Sequence, residues 1–102
     1  MNRAASFKMD GMAGFSQSLS DAYKSGVQFL IVELDTAMTF MDVAAVSSVE
    51  ETVERNHLNA MKAYATVLRH LPNVEPDAAQ QEAIDEKLER LKARLLAAGC
   101  RI

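Results

Sequence analysis

The chain has 102 residues, which is the size of one domain, and it contains only four glycines and two prolines. Because all-β folds need many turns, this scarcity disfavours them, whereas the abundant alanine, leucine, methionine, glutamate and lysine favour helices. The net charge of −3, without a basic run, disfavours nucleic acid as a partner.

The longest apolar run and the cysteine content indicate the cellular localisation of the chain. The run from Phe29 to Val32 is far shorter than the ~20 residues that cross a membrane. The single cysteine, Cys100, cannot form an intramolecular disulfide, and no secretory signal is recognisable. We therefore expect a cytoplasmic protein without a membrane partner.

The first residues of the chain lack the pattern of a regular element. Residues 1–15 contain Gly11 and Gly14 and show no sustained hydrophobic period, so we predict a loose, flexible N-terminal arm. The remainder, residues 16–102, is predicted to form one helical domain.

The first helix is predicted at about residues 16–46. Its apolar residues recur at alternating steps of four and three, which keeps one helix face apolar, and a second apolar row lies beside the first. A face this wide suits a helix that packs against two others. We interpret Gly26 within it as the mark of a close helix crossing or a slight bend. The first row consists of Tyr23, Val27, Leu30, Leu34, Ala37, Met41 and Ala44.

The second helix is predicted at about residues 49–71. Ser47 and Ser48 each stand three residues before a glutamate, and these overlapping capping boxes mark its start. Pro72 disfavours further helix and marks its end. Its apolar face is predicted to contain Val53, His57, Ala60, Tyr64, Val67 and Leu71.

The third helix is predicted at about residues 76–98. Either Pro76 at its first position or a capping pair of Asp77 and Gln80 opens it, and Gly99 caps its end. Its other faces are densely charged, which is typical of a solvated surface. Its apolar face is predicted to contain Ile84, Leu88, Leu91, Leu95 and Ala98.

Short connections make consecutive helices antiparallel, so we predict an all-α, up-down-up three-helix bundle. The first helix, ~45 Å long, outreaches the other two, each ~35 Å long, and its first turns overhang the bundle. Phe29 and Phe40 lie off its apolar face, and such surface needs cover from the arm or from a second copy. We expect a homodimer in which the first helices pack together, with Phe29 and Phe40 as anchors supported by Val27 and Met38.

One segment resembles a known repeat family. From Asn59 to Pro72 the chain resembles the second helix of a tetratricopeptide repeat, because Ala60, Tyr64 and Pro72 stand at that family's small, aromatic and terminal-proline positions. No second repeat is present, and the preceding helix departs from the family pattern at Ala44, Ser47 and Ser48.

Two further likenesses concern larger stretches of the chain. The predicted three-helix domain is also similar to the microtubule-interacting-and-trafficking domains. The stretch from Leu34 to Pro72 looks like small bacterial helical proteins of unassigned function. These resemblances imply a helical module and supply no active site.

Glu54 and His57 are the most specific candidates for a metal-binding site. A glutamate and a histidine three residues apart share a helix face, as in the ligand units of di-iron carboxylate proteins. A complete site would need a second unit from another copy, with Asp42 as the nearest further carboxylate. The alternative function is therefore a metal-binding, ferritin-like oligomer. The simpler interpretation is a packed His57 hydrogen-bonded to Glu54 or to another polar neighbour.

No other constellation of catalytic residues is recognisable. The sequence contains no phosphate-binding glycine loop, no zinc-spaced Cys/His set and no nucleophile elbow, and Cys100 is predicted as a tail thiol without a general base. We therefore predict no catalytic residue and no cofactor. The leading expectation is a non-enzymatic interaction or scaffold module that binds another protein through its helical surface.

Overall fold

The computed structural model describes the backbone of residues 11–102 and the side chains from Gly26 onward. It contains three α-helices: α1 at Gly11–Val46, α2 at Glu50–His70 and α3 at Ala78–Ala97. A short 3-10 helix at Leu71–Asn73 follows α2. The prediction of an all-α three-helix bundle is confirmed. No helix of this part of the chain has both the length and the apolar character needed to cross a membrane.

Helix α1 begins earlier than the sequence predicts. Its first residue is Gly11, so residues 11–15 are helical and do not belong to the predicted arm, while residues 1–10 lie outside the described residues. Extending an existing helix adds a hydrogen bond for each residue, and a glycine costs only ~1 kcal/mol relative to alanine. Gly11 and Gly14 therefore do not stop the helix, although they suggested a break.

Helix α2 starts without the predicted capping box. Val49 occupies the N-cap position and makes no side-chain cap, and the hydroxyl of Ser47 accepts a hydrogen bond from the Val49 N–H at 3.1 Å. The serine therefore closes a local turn two residues on, because its side chain competes for the nearest free N–H. Glu50 and Glu51 stand in the first turn, where the helix dipole favours negative charge.

Helix α3 has the predicted capping pair. The N–H of Gln80 donates to Asp77 Oδ1 at 2.7 Å, and the N–H of Asp77 donates to Gln80 Oε1 at 2.9 Å. Asp77 is thus the N-cap, and Pro76 precedes the helix. Gly99 has a φ of +86°, the left-handed conformation expected of a C-terminal glycine cap.

The core lies where the apolar rows of the three helices meet. The described part of the predicted row of α1 is buried, whereas Tyr23 lies outside the described side chains. Helix α2 contributes small residues, so it packs close to α1. The fully or nearly buried side chains are Val27, Leu30, Leu34, Ala37, Met41, Ala44, Ala60, Ala63, Val67, Ile84, Leu91 and Leu95.

Two ion pairs set the register of α3 on α1. Lys87 Nζ lies 2.7 Å from Asp35 Oδ1, and Arg94 Nη1 lies 2.8 Å from Asp42 Oδ1. Both pairs join residues 52 apart in the sequence, so α1 and α3 run parallel. The same offset sets the first residue of α3 level with Gly26.

The N-terminal part of α1 therefore extends beyond the bundle. At 1.5 Å per residue, residues 11–25 add ~22 Å of helix past the level at which α3 begins. The molecule is correspondingly elongated, with extents of 59 × 28 × 18 Å. The long first helix expected from the sequence is present.

Gly26 marks a close approach of backbone to side chain. A Cβ on Gly26 would lie 3.0 Å from Val74 Cγ1, in the connection between α2 and α3. The connection, and not a helix crossing, is what touches α1 at this glycine.

Candidate interaction surface

The exposed apolar side chains of α1 lie on the side opposite its core row. Phe29 is 52% exposed, Val32 51% and Val43 40%. With 3.6 residues per turn, they lie about half a turn away from core residues such as Leu34 and Met41. Between Gly26 and Val46 this helix therefore has two apolar faces, and the described part of the chain covers one of them.

The second face has a regular spacing. Its positions alternate in steps of three and four and stay within an arc of about 100° around the helix. All of them are exposed, and none carries a charge. These positions, which we call the outer stripe, are Phe29, Val32, Thr36, Thr39, Val43 and Val46.

The composition of the outer stripe differs from that of an ordinary solvated helix face. Valine and threonine are weaker helix formers than glutamate or lysine, and they give nothing to solubility. On α3, by contrast, the exposed face carries charged residues such as Glu82, Glu86 and Arg90. The outer stripe is therefore unlike the charged, solvated face of α3.

One flank of the outer stripe carries charges that are already paired. Asp35 and Asp42 border it, and each accepts a hydrogen bond from α3, from Lys87 and Arg94 respectively. The pairs are partly solvated, so each contributes at most ~1 kcal/mol to stability. Their larger effect is to leave no unbalanced negative charge on this edge of α1.

The structure places the four predicted interface residues in different environments. Phe29 is exposed on the outer stripe, and Phe40 is half-buried against the core beside it. Met38 also packs against the core. Val27 is fully buried, so it is a core residue beneath the anchors and offers no surface of its own to a second copy.

Sequence reasoning missed Val32 and Val43. Their signal was present, because both stand at the same three-and-four steps as Phe29. The core row has the same steps, two residues earlier at each position, and is richer in leucine and methionine, so it is the more conspicuous of the two. In a helix with two apolar faces, each face has its own set of positions in the sequence, and the two sets are identified separately.

The predicted metal unit is not assembled within one chain. Glu54 is exposed, His57 is half-buried, and Asp42 is hydrogen-bonded to Arg94 Nη1 at 2.8 Å. Among residues 26–102 no group of three potential ligands comes together. Asp42, predicted as the nearest further carboxylate, has its side chain in contact with α3.

His57 lies at a shallow groove near the ends of α1 and α3. The walls of this groove are mostly small or apolar, and the guanidinium of Arg94 lies at its edge. Its lining residues are Met41, Ala45, His57, Arg94, Ala97 and Ala98. A single imidazole beside an already paired guanidinium does not form a catalytic arrangement.

A second open groove separates α2 from α3. Tyr64, Leu68 and Leu88 form its apolar floor, with charged side chains of both signs along its rim. Leu68 is 46% exposed there. This surface includes Tyr64 of the tetratricopeptide-like segment, and it lies on a different face of the bundle from the outer stripe.

Cys100 is docked and not a free tail. Its side chain is partly buried against the core, and its N–H donates to the carbonyl oxygen of Leu95 at 2.9 Å. The predicted glycine cap at Gly99 turns the chain back over the helix end, and this turn brings Cys100 onto the core, which the sequence pattern does not reveal.

No family model matches this sequence, and neither a curated protein nor a solved structure is significantly similar to it. The resemblance to a tetratricopeptide helix therefore stays a prediction.

Proposed function

We propose that this chain is a small, non-enzymatic, cytoplasmic interaction or scaffold module that forms a homodimer through the outer stripe of α1. The observation that carries the proposal is a continuous, uncharged and exposed stripe from Phe29 to Val46 on the longest helix of the bundle. The mechanism is burial of one helix against another, without chemistry on a substrate.

The physical support is the hydrophobic effect. Removing apolar surface from water contributes about 25 cal/mol per Å², and the side chains of Phe29, Val32 and Val43 are each 40% exposed or more. The helix that carries them is also held by the core on its other side, so little conformational entropy is lost on association. These features favour self-association over an exposed monomeric surface.

The variant Phe29→Glu tests this proposal. We expect it to weaken dimerisation by at least ~2 kcal/mol, about a 30-fold rise in Kd, since it removes apolar contact and places a charge in the interface. Light scattering at several concentrations measures the molar mass, and circular dichroism measures the helix content, which should not fall.

Leu96→Glu is the matched control. Leu96 is 52% exposed, as is Phe29, but it lies on α3 and away from the outer stripe. The control variant should keep the molar mass of the wild type. If both variants, or neither, change the molar mass, the outer stripe is not the interface.

A further inference from the structure

We propose that the two copies pair their α1 helices in parallel and in register along the outer stripe. This inference rests on the proposed function, because it concerns the same surface. It adds the partner's orientation and the residue-by-residue pairing, and it places both bundles at the same end of the dimer.

The first step is the heptad spacing of the outer stripe. Steps of three and four are the a and d positions of a coiled coil, in which two helices face each other along a continuous line. The backbone of α1 continues as helix to Gly11. In the sequence, uncharged residues hold the same positions back to the start of the helix, at Ser25, Ala22, Ser18 and Phe15.

In a parallel, in-register pair, each position of the outer stripe meets the same position of the other copy, and each such pair of residues forms one layer of the interface. Phe29 meets Phe29 of the partner subunit, and Val32, Val43 and Val46 likewise meet their own kind, so apolar layers face apolar layers. The threonine layers lie between them. Thr39 can enter such an interface without losing a hydrogen bond, since its hydroxyl already donates to the Asp35 carbonyl oxygen at 3.2 Å.

The third step concerns the charges that flank the outer stripe. In a parallel coiled coil each g position faces the partner's following e position. Gln28 then faces the partner's Glu33, Asp35 faces the partner's Phe40, and Asp42 faces the partner's Ser47. No two like charges are opposed in this arrangement.

Antiparallel pairings are less favourable. In the antiparallel register centred between Thr36 and Thr39, Asp35 lies opposite the partner's Asp42 on each side of the two-fold axis. In the register shifted by one heptad towards the N-terminus, Asp35 lies opposite the partner's Asp35. Like charges placed together in an interface cost free energy. The next register sets Val43 of one copy against the partner's Ser18, and Thr36 against the partner's Ser25, so fewer apolar residues meet than in the parallel pairing.

Disulfide cross-linking of Val46→Cys in a Cys100→Ala background tests the orientation with the full chain. Val46 is the last residue of α1, and in the parallel dimer its two copies are adjacent. In the antiparallel registers described above they are ~25 Å or more apart along the axis. Mild oxidation should therefore convert nearly all of this variant to a covalent dimer, seen as a doubled mass on a non-reducing gel.

Two further variants make the result specific. Leu96→Cys in the same background is an equally exposed cysteine on α3, and it should stay monomeric under denaturing, non-reducing conditions. The double variant Phe29→Cys plus Val46→Cys reports the antiparallel register, because peptide mass mapping shows whether position 29 is joined to position 46. The mapping also works with Cys100 retained, should its replacement lower the helix content.

The outcomes separate the two proposals. A dimer by light scattering in which Val46→Cys does not cross-link, or in which position 29 joins position 46, overturns parallel pairing and leaves the interface in place. A wild-type chain that is monomeric at all concentrations overturns the proposed function and, with it, this inference. Efficient self-linking of position 46 together with an unlinked Leu96→Cys supports both.

Discussion

Gly26 is the residue at which the connection between α2 and α3 touches α1. Its hydrogen occupies space that a methyl group would fill at 3.0 Å from Val74 Cγ1, and a β-branched valine has little freedom to move aside. A glycine at this position lowers the helix propensity of α1 but allows Val74 to lie close, and this contact positions the connection between α2 and α3.

We predict that the effect of Gly26→Ala on the free energy of unfolding depends on the residue at position 74. With Val74→Ala already present, it should stabilise the protein by up to ~1 kcal/mol, because alanine is the better helix former and the clash is gone. With Val74 in place the gain should be smaller or negative. Urea denaturation of the four proteins in a double-mutant cycle measures the difference. Equal gains in both backgrounds would show that the contact does not constrain position 26.

Asp77 and Ser47 stand before two helices but act differently. Asp77 accepts the N–H of Gln80 in a complete capping box, whereas Ser47 accepts the N–H of Val49, outside the hydrogen-bonded turns of α2. The two residues therefore offer a comparison of a helix cap with a local turn within one small domain.

We predict that Asp77→Ala lowers the free energy of unfolding by about 1 kcal/mol, since a free N–H at the start of α3 loses its acceptor. Asp77→Asn keeps an acceptor and should lose clearly less. Ser47→Ala should also cost less than Asp77→Ala. Thermal or urea denaturation of the three variants provides the measurement, and a larger loss for Ser47→Ala would contradict the assignment of the caps.

At the scale of the elements, the core row of each helix is the part best predicted from the sequence. Leu30, Leu34 and Met41 are buried as their period requires, because the hydrophobic effect acts on every turn of a long helix and leaves a repeated signal. Asp77 was recognised as a possible cap for a similar reason, since capping depends on neighbouring residues alone.

The contacts between distant elements were not predictable in the same way. Asp35 and Lys87, like Asp42 and Arg94, are 52 residues apart, and nothing local tells which of many charges will meet. Asp35 and Asp42 are seven residues apart, as are Lys87 and Arg94, so each pair can share a helix face. This spacing between like charges is common on charged helices and does not identify the contacts. Likewise, the antiparallel order of α1 and α2 does not reveal that the side chain of Asp42 contacts Arg94 on α3.

At the scale of the whole molecule, the helices differ in length more than a closed bundle requires. Helix α1 has 36 residues against 21 and 20 for the others, so part of it lies beyond their reach. A helix that extends past its bundle and carries a second apolar face is well suited to joining two copies of the chain. The bundle then holds α1 in place, and the outer stripe provides the contact.

Sedimentation velocity of the wild-type chain over a hundredfold range of concentration tests whether two copies of the chain associate. We expect a species near twice 11.2 kDa, elongated in shape, that dissociates towards the monomer on dilution. A single species of 11.2 kDa at every concentration would contradict it, because no second copy would then cover the outer stripe.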